Sequence, residues 1–214
     1  MTTHLRARAR LVPAPRTDHC LEFADTRYWR GSEQPTETMA GVGDLLAWCE
    51  ATKSLDKSTT VDLAVWSRRN KREADHVFDE AMGVREILYR VFSATASAKA
   101  VSADDVDALN GLLERAPGRT SISITKAGNL WRLPPASPTA ASLLAPVLWS
   151  AGDLLVGERL GSVRLCANKK CGWLFLDDSK SGTRRWCTMS ACGNRAKAQR
   201  HYRRRIKPAA DAVS

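Results

Sequence analysis

The chain has 214 residues, 43% of them apolar and 26% charged, which suits a folded globular protein and excludes a disordered or fibrous one. The formal net charge is +10, but it is concentrated: residues 180–207 carry ten Lys/Arg and no acid, residues 1–16 carry four Arg and no acid, and residues 17–179 sum to −3. The longest apolar run, "LLAPVLWSAGDLLV", is broken by Pro146 and Asp153, and the basic N-terminus lacks the apolar stretch of a secretory signal; a cytoplasmic, nucleoid-associated protein with reduced thiols and no membrane partner is therefore expected.

In chain order, residues 1–16 read as a basic flexible arm, kept out of regular structure by Pro13 and Pro15. A body spans 17–160. "GVGDLLAWCEATK" (41–53) puts Leu45, Leu46 and Cys49 on one helical face, with Val42 a turn earlier. Residues 72–100 predict a long helix, its apolar face made by Val77, Met82 or Val84, Leu88, Val91 and Phe92 and interrupted by Arg85 and Glu86. Ser102 is placed to cap the next helix, with acids in its first turn. "TSISITKAGNLWRL" alternates as a hairpin turning at Gly128-Asn129, and 139–161 predicts a helix kinked at Pro146 and stopped by Gly161. Trp48, Trp66, Trp131 and Trp149 are expected in the core or an interface, and His4, His19, His76 and His201 on the surface. The fold class is mainly α with small β-hairpins, a helical body followed by a four-cysteine finger over 161–207 and a tail over 208–214.

Cys166 and Cys171 form a Cys-x4-Cys pair; after fifteen intervening residues Cys187 and Cys192 form a second. In a reducing compartment, paired cysteines are metal ligands before they are disulfides. Buried or redox-active thiols are the competing reading, and the paired spacing weighs against it. Four thiolates complete a zinc tetrahedron and leave no open position, so one structural Zn2+ is expected. Cys20 and Cys49 stand alone and distant. The insert fits a hairpin of "WLFL" (173–176), the turn "DDSKSG" and "TRRWC" (183–187), followed by a helix: knuckle, hairpin, helix, as in a treble clef. Body and finger are expected to have separate cores.

On that helix Ala198, Tyr202 and Ile206 share one stripe, which should pack on the finger, with Arg195 on the same side in a structural role. Lys197, Arg200, Arg204 and Lys207 share the opposite stripe. With Arg184 and Arg185 from the hairpin, they are the candidate DNA contacts, because a cationic face without acids is the footprint of a polyanion.

"RRWCTMSACGNRAKAQRHYRRR" resembles the CGNR-type zinc finger, whose tetrad stands here at 192–195. "LEFADT" (21–26) is similar to the Leu-Asp-Phe-Val-Asn-Thr opening of the ABATE domain, and "DLLAWCEATKSL" and "VREILYRVF" resemble later parts of it. The resemblance covers nearly the whole chain. It implies a stress-linked bacterial transcription regulator, an ABATE-like body that senses and a finger that binds DNA, and it assigns the metal to Cys166, Cys171, Cys187 and Cys192. Glu22 and Asp25 stand where the signature has Asp and Asn.

Phe23, Asp25, Thr26, Arg30 and Arg85 are the candidate contacts for a small polar ligand; an Asp25–Arg85 ion pair that merely orders the core is the plainer reading of the same residues. The implied partners are double-stranded DNA, a small-molecule effector and a second copy of the chain. The rival to a DNA-binding regulator is an RNA-binding or protein-interaction adaptor built on the same finger. No nucleophile–base pair, metal–carboxylate cluster or phosphate loop stands out, so an enzyme is not expected.

Overall fold

The computed structural model describes residues 8–126 and 128–206, with 203–206 described by their backbone alone. In chain order the elements are β1 (Arg10–Val12), α1 (His19–Ala24), β2 (Arg27–Tyr28), β3 (Thr36–Glu37), α2 (Val42–Ala51), α3 (Lys57–Arg69), α4 (Lys71–Ala96), α5 (Ala103–Arg115), β4 (Ile122–Thr125), β5 (Gly128–Leu133), α6 (Ala140–Leu143), α7 (Ala145–Val156), β6 (Val163–Leu165), β7 (Leu174–Leu176) and α8 (Asn194–Ile206). A 3-10 turn spans Glu158–Ser162 and a π-helical turn spans Met189–Gly193.

The organising element is α4. Its apolar residues recur at helical spacing, and Val77, Ala81, Val84, Leu88 and Phe92 are buried. Against them lie Leu21 and Phe23 of α1, Leu45 and Cys49 of α2, Leu109 and Leu112 of α5, and Leu148 and Leu154 of α7, in one continuous core. The helix α3 has no counterpart in the apolar pattern; its signal is the cap, where the Asp56 side chain accepts from the Thr59 N–H at 3.0 Å. Of the four tryptophans expected inside, Trp149 is buried and donates Nε1–H to the Pro117 carbonyl at 2.9 Å, and Trp48 and Trp66 lie half-buried against the main core.

Several sequence expectations are corrected. The arm is not free of structure: β1 pairs antiparallel with β5, which pairs with β4. Pro13 follows the strand and so removes no ladder donor from it. Arg10 is buried there, donating to the carbonyls of Pro134 at 3.1 Å and Ser142 at 3.0 Å. Burial lowers its pKa to about 10. The β4–β5 ladder closes at Thr125 with Gly128, so the turn precedes Gly128. Pro146 starts α7 rather than kinking a longer helix, because it has no N–H to give and its ring clashes with the carbonyl four residues earlier. That helix ends at Gly157, not at Gly161. His19 is not on the surface: it is buried, stacked on Trp48 at 5.3 Å and hydrogen-bonded to the Ser54 hydroxyl at 2.8 Å.

The finger and body do not have separate cores. The β6–β7 ladder pairs Val163 with Leu176 and Leu165 with Leu174, and Val163, Leu174 and Leu176 belong to the body's own core. This hairpin also differs from the expected one. The partner of the "WLFL" strand lies before the first cysteine pair, and 183–187 form no strand. Asp177 folds the intervening loop instead, accepting from the Ser179 N–H and hydroxyl and from the Arg184 N–H. Among the described residues no helix is long and apolar enough to cross a membrane.

Candidate zinc centre and basic helix

Cys166 leaves the end of β6 and Cys171 precedes β7, so the hairpin delivers the first pair. The knuckle between them is set by the backbone: Cys166 N–H donates to the Trp173 carbonyl at 2.8 Å and Cys171 N–H to the Asn168 carbonyl at 2.8 Å. A cross-link from Ala167 N–H to the Arg185 carbonyl at 2.9 Å ties it to the second pair. Cys187 precedes Thr188, whose hydroxyl accepts from Ala191 N–H at 3.1 Å and opens the π-helical turn that carries Cys192.

The four Sγ atoms lie within 4.8 Å of one another, all on buried residues. Cys171 Sγ and Cys187 Sγ are 3.8 Å apart. A tetrahedron with zinc–sulfur bonds of about 2.3 Å has edges of about 3.8 Å, so the clustered donor set fits one structural zinc ion. Asn168 Nδ2 reaches Cys192 Sγ at 3.5 Å and orients that ligand from outside. Hydrogen bonding from Cys171, then from Cys192 and Cys166, holds Cys187 down to about 5, while burial pushes Cys166 up to about 11. A divalent cation would draw all four to thiolate. Cys20 and Cys49, distant from this cluster, are pushed up to about 12 by burial and are inert, neutral thiols.

A model of the ABATE family, described as "Putative stress-induced transcription regulator", matches residues 17–158, and the CGNR zinc finger model matches residues 162–205. The chain belongs to the ABATE family. A search of the curated proteins found no match. The two matched families are a regulator-like domain and a zinc finger, not families of enzymes, and together they point to a regulatory, nucleic-acid-binding role.

In this ABATE protein the candidate DNA contacts are unequal. From Lys197 to Tyr202 every residue of α8 is exposed, Lys197 and Arg200 among them. Arg184 is engaged within the finger: its guanidinium donates to the carbonyls of Trp186 and Cys187 and lies 4.5 Å over the Phe175 ring. Arg185 is exposed, 5.5 Å from the Trp186 ring. The Arg204 side chain and Lys207 lie outside the described residues. The packed stripe is corrected as well. Ala198 is exposed and Tyr202 is 65% exposed, because the small finger core offers α8 no apolar surface to lie on. Arg195 binds no carbonyl of the zinc loops; its guanidinium stacks 4.5 Å over Trp29, which belongs to the body.

The five candidate ligand contacts disperse along the seam between body and finger. Phe23 is fully buried against Trp48. The Thr26 hydroxyl donates to the Phe23 carbonyl at 2.8 Å. Asp25 does not pair with Arg85; its Oδ1 accepts from Leu174 N–H of the finger at 3.0 Å. Burial raises its pKa well above the usual carboxylate range, against the opposing pull of that hydrogen bond. Arg85 instead forms a two-pronged pair with Glu37, at 2.7 and 2.6 Å, and reaches Glu86 at 3.2 Å. Burial opposes the charge on Glu37, but Arg85 outweighs it and holds the carboxyl below its ordinary value. Arg30 clasps Glu86 at 2.7 and 3.1 Å, donates to the Ala24 carbonyl at 2.8 Å and stacks on Tyr89 at 4.0 Å. Of the five, Arg30 lines a cavity of about 530 Å³ that also touches Arg27, Tyr89, Asn168 and Lys169.

Sequence reasoning missed the residues that join the two parts. Arg30 N–H donates to the Cys171 carbonyl at 3.2 Å. A Cβ on Gly31 would stand 1.9 Å from the Lys169 carbonyl oxygen, so only glycine allows the knuckle this close. Trp29, Trp173 and Trp186, three of the seven tryptophans, pack around the cysteines. Their one sequence signal was position: each lies beside a Gly, Cys or Arg of the finger or of "TRYWRG".

Proposed function

We propose that the chain is a DNA-binding transcription regulator whose zinc-held finger presents α8 to duplex DNA in the cytoplasm. The observation that carries this reading is the exposed run from Lys197 to Tyr202, in a segment, 180–207, with ten cations and no acid. Lys197 and Arg200 meet phosphates, Arg185 supports them from the loop before the second cysteine pair, and Arg204 and Lys207, further along the sequence, are further candidate contacts. Arg184 contributes by holding the loop that carries Cys187. The body supplies the regulatory half. The seam cavity beside Arg30 offers a small polar effector a place where body and finger meet.

The test is to titrate the zinc-loaded full chain against duplex DNA at several salt concentrations. Phosphate contact releases counterions, so affinity should fall with a slope near −0.9 per contact in a log–log plot. Binding that is absent, or indifferent to salt, would overturn the reading. Preference for structured RNA over duplex DNA at matched salt would favour the adaptor instead, and one observation gives that rival weight: aromatic rings beside the basic helix.

A further inference from the structure

The three-stranded sheet guards one of its edges and leaves the other open. Its strand order is β1–β5–β4, so β1 and β4 are the edges. The β1 edge is blunted: the strand is three residues long and Pro13 follows it. The β4 edge has no such device. Its residues Ile122–Thr125 include no charge, no Pro and no Gly. Arg132 N–H donates to the Ser121 carbonyl at 2.8 Å, which makes Ser121 with Arg132, and then Ser123 with Leu130, the hydrogen-bonded pairs of the ladder. Ile122 and Ile124 therefore turn their N–H and C=O groups away from β5, and no turn or loop among the described residues takes them up.

The side chains on this edge are placed for a cover that the chain itself does not supply. Val12, Trp131 and Ile122 lie directly across from one another and so share one face of the sheet. On that face Val12, Trp131 and Leu133 close over Ala145 and Trp149 of α7. Ile124, two residues beyond Ile122, belongs to the same face. Both isoleucines thus point the way core residues point, yet Ile122 is 60% and Ile124 84% exposed. Apolar β-branched side chains beside a row of open backbone groups are what a further strand covers.

The open edge is complementary to itself. With a two-fold axis at Ser123, an antiparallel pair of β4 strands sets Ile122 opposite the partner's Ile124, and Ser123 opposite the partner's Ser123. Ile122 and the partner's Ile124 then exchange both backbone hydrogen bonds, and their side chains stand side by side on one face. Charge permits the approach. Each chain carries +10, but in this register Lys126 falls opposite the partner's Thr120 and not opposite its own copy, and Arg119 is already paired with Asp153. We propose that two copies of the chain associate edge to edge through β4, antiparallel about Ser123, and so join their two three-stranded sheets into one. The contact uses the same patch on both copies, so it closes as a dimer and does not propagate. A two-fold pair carries two copies of α8, the symmetry that an inverted-repeat DNA site presents, but the pairing itself does not depend on DNA binding.

The experiment is sedimentation velocity of the zinc-loaded full chain over a range of concentrations, without DNA. Wild type should pass from monomer to dimer as concentration rises. Ile124→Lys places a charge at a position that is open to solvent in the monomer and covered in the dimer. It should keep its zinc and its melting temperature, and raise the concentration at which the dimer forms by on the order of a hundredfold, because the contact is lost twice per dimer. Ser123→Cys tests the register. Facing side chains of a pair without hydrogen bonds are close enough for a disulfide, so oxidised glutathione should link two chains and release two glutathione thiols. Ser121→Cys, whose two copies lie far apart in this register, should not link, and neither should wild type with its native cysteines. Wild type that stays monomeric at every concentration would overturn the proposal. A dimer that Ile124→Lys leaves as tight as before would place the interface elsewhere and overturn it too. Linkage through Ser121→Cys in preference to Ser123→Cys would overturn the pairing about Ser123.

Discussion

The body encloses Leu, Val and Phe side chains drawn from α1 to α7, whereas the finger encloses four cysteine sulfurs and Phe175. Segments as short as the finger bury too little apolar surface to fold alone and are stapled by metal. Yet the finger is not a bead on a string. Its β6–β7 hairpin is rooted in the body's core, and Trp29 of the body packs on its cysteines. Each region therefore completes the other: apolar burial fixes where the finger starts, and the metal fixes where it ends.

The largest effect should come from taking the metal away. Structural zinc contributes on the order of 10 kcal/mol of apparent binding free energy, and here that is folding energy. Chelation, or Cys187→Ser, should abolish the helical signal of α8 and also lower the melting temperature of the body, because Val163, Leu174 and Leu176 lose their tether. Circular-dichroism melts with and without chelator check it. A body transition that does not move would restore the picture of two independent cores. Replacing Cys20 or Cys49 should leave metal content unchanged.

The part of this organisation that shows in the sequence is the part written in local pattern. Paired cysteines reveal themselves by spacing, α4 by its period and the polyanion face by a run without acids. The seam does not show, because it is made of contacts distant in sequence: Asp25 with Leu174, Arg30 with Cys171, Arg195 with Trp29. Asp25 and Arg85 looked like a pair because both are charges in apolar surroundings. Which partner each takes depends on Glu37, an unremarkable glutamate in a two-residue strand. The stripe of α8 expected to pack inward, Ala198 with Tyr202, misled for another reason. A helical wheel says which residues share a side, not whether anything lies against it.

Next in size is the seam itself. Leu174 is 1% exposed, and Leu174→Ala should cost about 2–5 kcal/mol. Differential scanning calorimetry should show one transition lowered by roughly 5–15 °C, with faster zinc loss to a chelator. Normal zinc retention at a lowered melting temperature would mean that the core coupling runs only one way.

A smaller effect, with a pH signature, belongs to Asp25. Its folded pKa is raised by burial, so the folded state binds its proton more tightly than the unfolded chain. The associated stability is present below the unfolded value near 3.9 and is lost as pH rises through the folded pKa. Asp25→Asn keeps an acceptor for Leu174 N–H and removes the charge. It should melt with wild type near pH 4 and above it by a few degrees at pH 8. A variant that is less stable at every pH would mean that the carboxylate, not the acceptor, holds the seam.

The smallest effects on stability separate the cations of the finger from one another. Lys197 and Arg200 stand on the exposed face of α8, so Lys197→Ala and Arg200→Ala should each flatten the salt slope of duplex binding by about 0.9 and leave stability within about 0.5 kcal/mol. Arg195 is exposed too, but its guanidinium lies over the Trp29 ring. An exposed cation–π contact contributes about 0.5–1 kcal/mol, so Arg195→Ala should lower the melting temperature by roughly 1–4 °C. It should also loosen α8 from the body, because this contact joins that helix to the residue beside Arg30. Arg195→Lys keeps the charge but not the flat guanidinium, and should restore the salt slope without restoring the melting temperature. If Arg195→Lys recovers both, the residue acts as a plain charge, and its stack on Trp29 adds nothing to the seam.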